Sequence, residues 1–323
     1  MSLRTGLYPG EQFVNLALTE APTLIDNLLW EGDHTLLIGM EKSGKSLLCL
    51  QLLSALSCGA DAFGFLPIAK PVPVVYCQGE GKLTDTSQNH ARMRQVLDCN
   101  PKNFAIFYFP SLPLDTEEGL KDLLTCIDSW QKPTVLILDP LYMFMQGDLI
   151  DNAHARRMIA HIRQLSEHYK PLTILITHHA HRPIRNQRGQ VVDEGDDSLF
   201  GSFVWKAFPD NVYLFQKASK AVSDKRRRFS CDTQRMAKSV SSINLYLEDQ
   251  QSLYYRLDEQ KPGCHAKLLD VLQKHDRQAT FVELVEASGY ARSNVWHYLN
   301  QMQDTKQVIR VSVNGSTPLY RLL

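Results

Sequence analysis

The sequence predicts an α/β fold, a doubly wound and mostly parallel sheet followed by a small winged helix-turn-helix unit. Three observations carry this expectation. Six apolar, β-branched runs recur between residues 35 and 215, with helical periodicity between them. A glycine-rich turn joins the first run to the first helix. Beyond residue 263, three short amphipathic helices precede two strand-like runs.

The apolar runs are 35–39, 72–77, 104–109, 134–139, 172–177 and 211–215. Their near-continuous apolar character suits strands covered on both faces. Between them, Leu120, Leu123, Leu124 and Ile127 recur at i, i+3, i+4 and i+7 in 116–130, and Ile159, Ile162 and Leu165 mark one face of 152–169. Such alternation implies right-handed crossovers. Residues 1–34 form an N-terminal segment in which 21–29 (APTLIDNLL) is expected beside the functional site. Residues 35–257 form the main domain, with 226–232 and 242–257 as antiparallel strands closing the sheet edge.

Residues 258–263 (DEQKPG) read as a linker and 264–323 as the small unit. Its helices are 265–275 with Leu268, Leu269 and Leu272, 280–287 with Phe281, Leu284 and Val285, and 291–303 with Val295, Leu299 and Met302. Gly289 turns the chain between the last two, and Val308–Val311 and Leu319–Leu322 flank the hairpin signal Asn314-Gly315. Three helices and then a hairpin is the order of a winged helix.

Composition narrows the classes. With 323 residues and 44% hydrophobic content the chain can build a substantial core. No apolar stretch reaches a membrane span, and the N-terminus lacks the apolar centre of a signal peptide. The seven cysteines form no C-x-x-C pair. A soluble, cytoplasmic protein without structural zinc or a membrane partner is expected. The formal net charge of zero argues against nonspecific coating of DNA, while leaving open a local patch or a narrow pore.

Gly39-Met40-Glu41-Lys42-Ser43-Gly44-Lys45-Ser46 fits G-x-x-x-x-G-K-S between a strand and a helix. Glycines let the loop curl so that backbone N–H groups converge on a phosphate, and the helix N-terminus adds positive potential. Residues 39–46 and Leu47 are therefore assigned to binding ATP. Lys45 reaches the β- and γ-phosphates, and the Ser46 hydroxyl suits Mg²⁺. Asp139, after Val135-Leu136-Ile137-Leu138, supplies a second metal-associated oxygen, the alternative being a helix N-cap. Glu80, in Gln78-Gly79-Glu80, is the candidate general base, close to the γ-phosphate if its strand neighbours that of the P-loop; otherwise it is a surface glutamate. Thr177-His178-His179-Ala180-His181 offers polar groups that sense the γ-phosphate, or a metal site lacking further ligands. His154, His161 and His168 lie seven apart and read as a solvated helix face.

The stretch 180–205 is polar and long, which marks a functional or mobile loop. His181, Arg182, Arg185 and Arg188 can contact phosphates there. In the third helix of the small unit, Arg292, Ser293, Asn294, His297 and Asn300 offer donors to bases or phosphates, and Arg310 and Arg321 flank the wing. A protein-binding or oligomerisation module is the alternative for this unit.

Taken together, GMEKSGKS, Gln78-Gly79-Glu80, Asp139-Pro140-Leu141, Thr177-His178-His179 and Gly201-Ser202 with Asp210 resemble the RecA-like ATPases, in the branch of RepA-type hexameric replicative helicases. The resemblance spans roughly 20–257. It implies a catalytic glutamate at Glu80, a metal-associated aspartate at Asp139 and a γ-phosphate sensor at His178 or His179. It also implies a homo-oligomeric, hexameric ring in which a neighbour's basic residue completes each site, from Arg226-Arg227-Arg228 or Arg235. The family pattern has Lys-x-Arg there, whereas this chain reads Thr233-Gln234-Arg235 and keeps only the arginine. The basic run reads equally as a solvated turn or strand edge.

Three functions fit these residues. One is a ring that hydrolyses ATP and threads single-stranded DNA, with 180–205 in the pore and the winged helix on duplex DNA or a partner: a replicative helicase of a plasmid, phage or integrated element. Another is an ATP-dependent DNA-binding regulator, recombination protein or loader without unwinding. The third is a P-loop kinase or transferase, which the C-terminal unit disfavours.

Overall fold

The continuous apolar runs are strands buried on both faces, with successive side chains entering two different cores. In the computed structural model Leu37, Val74, Tyr76, Val135, Ile137 and Leu175 join one hydrophobic cluster. Their sequence neighbours Leu36, Ile38, Val75, Leu136, Leu138, Ile174 and Ile176 join another. Side chains alternate across a strand, so a sheet covered on both faces needs apolar residues at every position.

The structure describes residues 8–14, 22–97, 101–180, 184–185, 191–193, 204–219, 221, 223–234, 242–249, 252–258, 264–275, 277–289, 292–304, 307–311 and 319–322. They belong to two units, Met1–Leu257 and Asp258–Leu323. The first contains α1 (Gly10–Val14), β1 (Thr23–Ile25), β2 (Leu29–Trp30), β3 (His34–Gly39), α2 (Lys45–Cys58), β4 (Val74–Gln78), α3 (Leu83–Met93), β5 (Phe104–Tyr108), α4 (Glu117–Asp128), β6 (Val135–Asp139), α5 (Asn152–His168), β7 (Thr173–His179), β8 (Ile184–Arg185), β9 (Val191–Asp193), α6 (Val204–Ala207), β10 (Asn211–Lys217), β11 (Arg226–Gln234), β12 (Ile243–Glu248) and β13 (Tyr254–Leu257).

Among the described residues, nine strands form one sheet in the order β13-β12-β11-β10-β3-β7-β6-β4-β5. Neighbours from β10 to β5 are parallel. Those from β10 to β13 are antiparallel. Helix α2 packs in the first cluster through Leu48, Leu52, Leu53 and Leu56. Helices α4 and α5 pack in the other through Leu120, Leu123, Met158 and Ile162. The sheet is thus wound on both sides, and the parallel order brings Gly39, His179, Asp139 and Gln78 to one end of it. Ligands of such sheets bind in the crevice at the carboxyl ends of the strands.

Three sequence expectations change. The described part of the segment 21–29, from residue 22, does not flank the loop. The Trp30 carbonyl accepts from the Thr173 hydroxyl at 2.8 Å, at the end of β7 opposite His179. Leu24, Ile25, Leu28 and Leu29 cover the core there. The histidine stripe of α5 is not solvated throughout, because residues 112–117 cross it. His161 is buried, with Nδ1 2.6 Å from the Leu114 carbonyl, and His154 Nδ1 lies 2.8 Å from the buried Asp115 carboxylate. Only His168 of the three is exposed. The arginine run is not at a strand edge, since β11 lies between β10 and β12.

The second unit contains α7 (Cys264–Lys274), β14 (Gln278–Thr280), α8 (Phe281–Ser288), α9 (Arg292–Asp304), β15 (Val308–Val311) and β16 (Leu319–Leu322). Leu268, Leu272, Leu284, Val295, Leu299, Met302, Val308 and Tyr320 form its core. The two expected strands gain a third, as β14 pairs with β16 in the order β14-β16-β15. Three residues between two helices carry too little periodicity to be read as a strand. Helix α8 starts on a capping box, in which Thr280 accepts from the Glu283 N–H and the Glu283 carboxylate accepts from the Thr280 N–H. Gly289 ends it at φ 70°, a left-handed conformation suited to glycine.

Thr280→Ala should therefore destabilise the second unit by about 1 kcal/mol. Hydrogen exchange of the α8 amides reads this directly, with β3 and β6 as unchanged references.

Candidate nucleotide-binding site

The loop between β3 and α2 has the backbone an anion cradle needs. Gly44 stands at the N-cap of α2 with φ 102°, which an L side chain rarely adopts. A Cβ there would run into the Tyr255 hydroxyl, and one at Gly39 would meet the Phe215 carbonyl. Strands β13 and β10 thus press on the loop closely enough that only glycine fits. Met40, Glu41, Lys42 and Ser46 are exposed, Leu47 is half-buried and Ser43 is buried. The Ser43 hydroxyl finds no hydrogen-bond partner among the described residues.

Lys45 is buried, and its Nζ donates to the carbonyls of Gly39 at 2.7 Å and Met40 at 3.1 Å. Burial lowers its pKa; the charges of Asp139, Glu80 and Glu41 oppose that shift. The ammonium thus has neutral hydrogen-bond partners, with the carboxylates of Asp139, Glu80 and Glu41 acting on it from farther away. It suits a polyanion delivered to the loop.

Asp139 ends β6 as a buried carboxylate. One oxygen accepts from the Tyr76 hydroxyl at 2.6 Å and the other from the Thr177 hydroxyl. Burial, and then the Asp139 charge, raise the Tyr76 pKa well above its usual value, so Tyr76 remains the donor. Ser46 lies exposed at the start of α2, close enough to Tyr76 to act on its hydroxyl. Tyr76 therefore fixes one of the two oxygen groups expected to hold Mg²⁺, the Asp139 carboxylate. A hydroxyl and a carboxylate at the same strand ends are hard oxygen donors that fit this ion. Among the described residues no group of three His, Cys, Asp or Glu side chains forms a metal site, so His178 and His179 gain no such support.

Glu80 reaches the same end by a different route. Strand β4 does not neighbour β3, since β7 and β6 intervene. Glu80 lies beyond the strand end, exposed, and its carboxylate accepts from the Tyr142 hydroxyl at 2.9 Å. Gly79 permits this approach, because a Cβ there would collide with the Met143 side chain. The Gly79 N–H also donates to the Asp139 carbonyl at 2.9 Å. Burial and the Glu80 contact push the Tyr142 pKa up to about 12, which keeps the phenol a donor.

Strand alternation separates the two histidines. Thr177 and His179 share the face of Asp139, and the His179 ring lies 5.3 Å from that of Tyr142. His179 pairs in register with Gly39. His178 points to the other face, toward Trp205, with its Nδ1 2.8 Å from the His179 carbonyl. Burial lowers the pKa of both, that of His178 to about 4. Both rings are neutral near pH 7, so His179 meets the site as a hydrogen-bonding group and not as a cation.

The arginines divide. Arg226 pairs with Asp224, and Arg228 is exposed with Nε donating to the Ser242 hydroxyl at 2.9 Å. Arg227 is buried and contacts the P-loop of its own chain: its Nε donates to the Ser43 carbonyl at 2.7 Å. Its guanidinium is thus engaged by carbonyls of its own chain. Arg235, His181, Arg182, Arg188 and Gly201-Ser202 lie outside the described residues, as do the side chains of Arg185, Ser293, Asn294 and His297. Arg292 is exposed at the start of α9, 5.3 Å over the Phe281 ring, and Arg310 is exposed on β15. Tyr76, Tyr142 and the turn of Arg227 toward its own loop were missed in the sequence. Tyr142 follows Asp139 by three residues, and this nearness to a strand end was the one available signal.

A P-loop closed by glycines, a buried lysine and a strand-end aspartate on a sheet ordered β3-β7-β6-β4 define a P-loop ATPase of RecA-like fold. A separately solved ATPase domain shares that fold, with a TM-score of 0.52 at 9% identity over 71% of this chain and 86% of that one. The chain belongs to the AAA_25 family, described as an AAA domain, which matches residues 11–183. A KaiC-like protein of the hyperthermophilic archaeon Pyrococcus horikoshii is also similar, with a TM-score of 0.46 and 16% identity over 72% of this chain and 93% of that one. So is the RadB recombinase, with a TM-score of 0.46 and 15% identity over 69% and 90%. No curated protein sequence matches the chain. Among the described residues no helix is long and apolar enough to cross a membrane.

The titration of His178 gives a test. Its folded pKa of about 4 lies below the ordinary 6.5, so the unfolded chain takes up the proton first as pH falls. The contribution to stability is complete above pH 6.5 and is lost between pH 6.5 and 4, by about 3 kcal/mol. Denaturant unfolding from pH 7 to 4 should therefore show a shallower loss of stability in His178→Gln than in the wild type. Parallel curves would place the histidine outside this burial.

Proposed function

We propose that the protein is an ATP-hydrolysing motor on DNA, a ring-forming replicative helicase of a plasmid, phage or integrated element. The observation that carries the chemistry is the meeting of Lys45, Asp139, His179 and Glu80 around one strand end. The Lys45 charge is felt by all three neighbours, and Tyr142 ties Glu80 to the turn after Asp139. In this reading Lys45 and the loop amides hold the β- and γ-phosphates. Ser46 and Asp139 would hold Mg²⁺, which would neutralise phosphate charge. Glu80 orients the attacking water and accepts its proton, and Tyr142 holds the carboxylate that does so. His179, neutral and on the site face, hydrogen-bonds the γ-phosphate.

DNA enters this reading through the resemblance to hexameric helicases and the shape of the second unit. Three helices with a three-stranded antiparallel sheet are consistent with a winged helix whose α9 faces a duplex. Arg292 and Arg310 are exposed there, and Arg182, Arg185 and Arg188 are assigned to single-stranded DNA in the pore. With Arg227 committed to its own loop, Arg235 and the exposed Arg228 are the remaining candidates to complete a neighbour's site. The separate second unit also favours one alternative, an ATP-dependent DNA-binding regulator, recombination protein or loader that does not unwind.

ATP hydrolysis measured with and without single-stranded and duplex DNA distinguishes them. Stimulation by single strands, together with a hexameric mass in ATP, is the helicase outcome; tight binding of one duplex sequence without strand separation is the regulator outcome. Glu80→Gln should keep ATP affinity and lower turnover by about a hundredfold or more. Lys45→Ala should lose most ATP binding, and normal turnover in that variant would remove the P-loop assignment.

A further inference from the structure

The buried contact between Arg227 and the P-loop has a directional consequence. Arg227 is 8% exposed, and its guanidinium is fixed by three main-chain acceptors of the same chain. Nε donates to the Ser43 carbonyl at 2.7 Å, and one Nη donates to the carbonyls of Asp224 at 3.0 Å and Arg226 at 2.9 Å. A trans peptide is planar, so its carbonyl and N–H point in opposite directions. With the Ser43 oxygen turned to Arg227, the Gly44 N–H points away from it. Gly44 is the N-cap of α2, where amides are not used by the helix itself and its positive end attracts anions.

We propose that Arg227 is a positioning residue for nucleotide binding, holding the Ser43–Gly44 peptide so that the Gly44 N–H faces the phosphates. The inference rests on the nucleotide reading of this loop. Were the Ser43 carbonyl free to rotate, its negative end could turn into the cradle. Arg227 instead gives that carbonyl a charged donor behind the loop.

The neighbouring contacts keep the arginine and loop in register. The Gln51 side chain of α2 clamps β13, donating to the Tyr255 carbonyl and accepting from its N–H, both at 2.6 Å. The Tyr255 ring, fully buried, packs edge-on against Phe215 with centroids 5.4 Å apart, and its hydroxyl abuts Gly44. The antiparallel strands β11 and β13 thus form the back wall of the P-loop. An arginine in this place acts within its own subunit, which separates it from one that completes a neighbour's site.

The test uses full-length wild type, Arg227→Gln and Arg227→Lys, with ATP and ADP affinity and hydrolysis at saturating ATP as readouts. Arg227→Gln should weaken ATP and ADP alike, by about tenfold or more, since both carry the phosphate that meets the Gly44 amide. Its kcat at saturation should stay within about twofold. Arg227→Lys keeps the charge but lacks the planar fork that places Nε on Ser43 and an Nη on Asp224 and Arg226 together, and should bind more weakly than the wild type and more tightly than the glutamine variant. In mixtures with wild-type subunits, activity measured below saturation should decline in proportion to the variant fraction.

Unchanged affinity for both nucleotides in a folded Arg227→Gln overturns the inference. So does a loss of kcat at unchanged affinity with disproportionate inhibition in the mixtures, which assigns Arg227 to a neighbour's site. If the glutamine variant does not fold, Arg227→Lys decides: weaker binding at retained kcat supports the role, and wild-type binding overturns it. Wild-type protein that binds neither nucleotide removes the nucleotide reading itself, an outcome distinct from both.

Discussion

A buried ammonium organises the strand ends of this protein. Lys45 sits inside the fold with two carbonyls of its own loop as hydrogen-bond acceptors, while Asp139, Glu80 and Glu41 act on it from farther away. A charge removed from water is costly unless opposite charge or dipoles compensate it. Carbonyl dipoles and distant carboxylates compensate it in part, which leaves the group suited to phosphate. The closeness of Tyr255 and Phe215 leaves room only for glycine at positions 44 and 39 of the loop that carries it.

The surrounding groups keep the positive charge localised. Burial holds His178 and His179 neutral near pH 7, so neither competes with Lys45 as a cation. Asp139 has both oxygens held by hydroxyls, from Tyr76 on one strand and Thr177 on another, so its direction is set by the sheet and not by solvent. Glu80, by contrast, is exposed and has the Tyr142 hydroxyl on its carboxylate. The rigid carboxylate is suited to holding charge in place. The exposed one is suited to meeting water.

The antiparallel strands beyond β10 do more than close the sheet. Their residues Arg227 and Tyr255 form the wall behind the P-loop, and the Gln51 side chain ties α2 to β13 through a pair of hydrogen bonds with the Tyr255 backbone. Residues far apart in sequence thereby fix one short turn. A P-loop lifted out of this sheet would keep its glycines and lose the contact that aims its Ser43–Gly44 peptide.

The sequence by itself determined the six apolar strands of the large sheet, the helices α2, α4 and α5, the P-loop and the acidic strand end at Asp139, while a strand as short as β14 escaped it. Each is a local matter: apolar residues at every position of a doubly covered strand, glycine where φ is positive, an amphipathic face at helical spacing. Tertiary structure alone decided which strands are neighbours, and hence that β7 and β6 stand between Glu80's strand and the P-loop strand. It decided that His179 faces the site and His178 Trp205, because the pleat at β7 depends on the strand's packing. It turned Arg227 inward although Arg226 and Arg228 beside it are not buried, since β11 buries one face only. It covered His161 with residues 112–117, which no spacing along α5 encodes. The physical reason is common to all four. Local propensity depends on near neighbours along the chain, whereas the direction a side chain faces is set by partners that folding brings from far away.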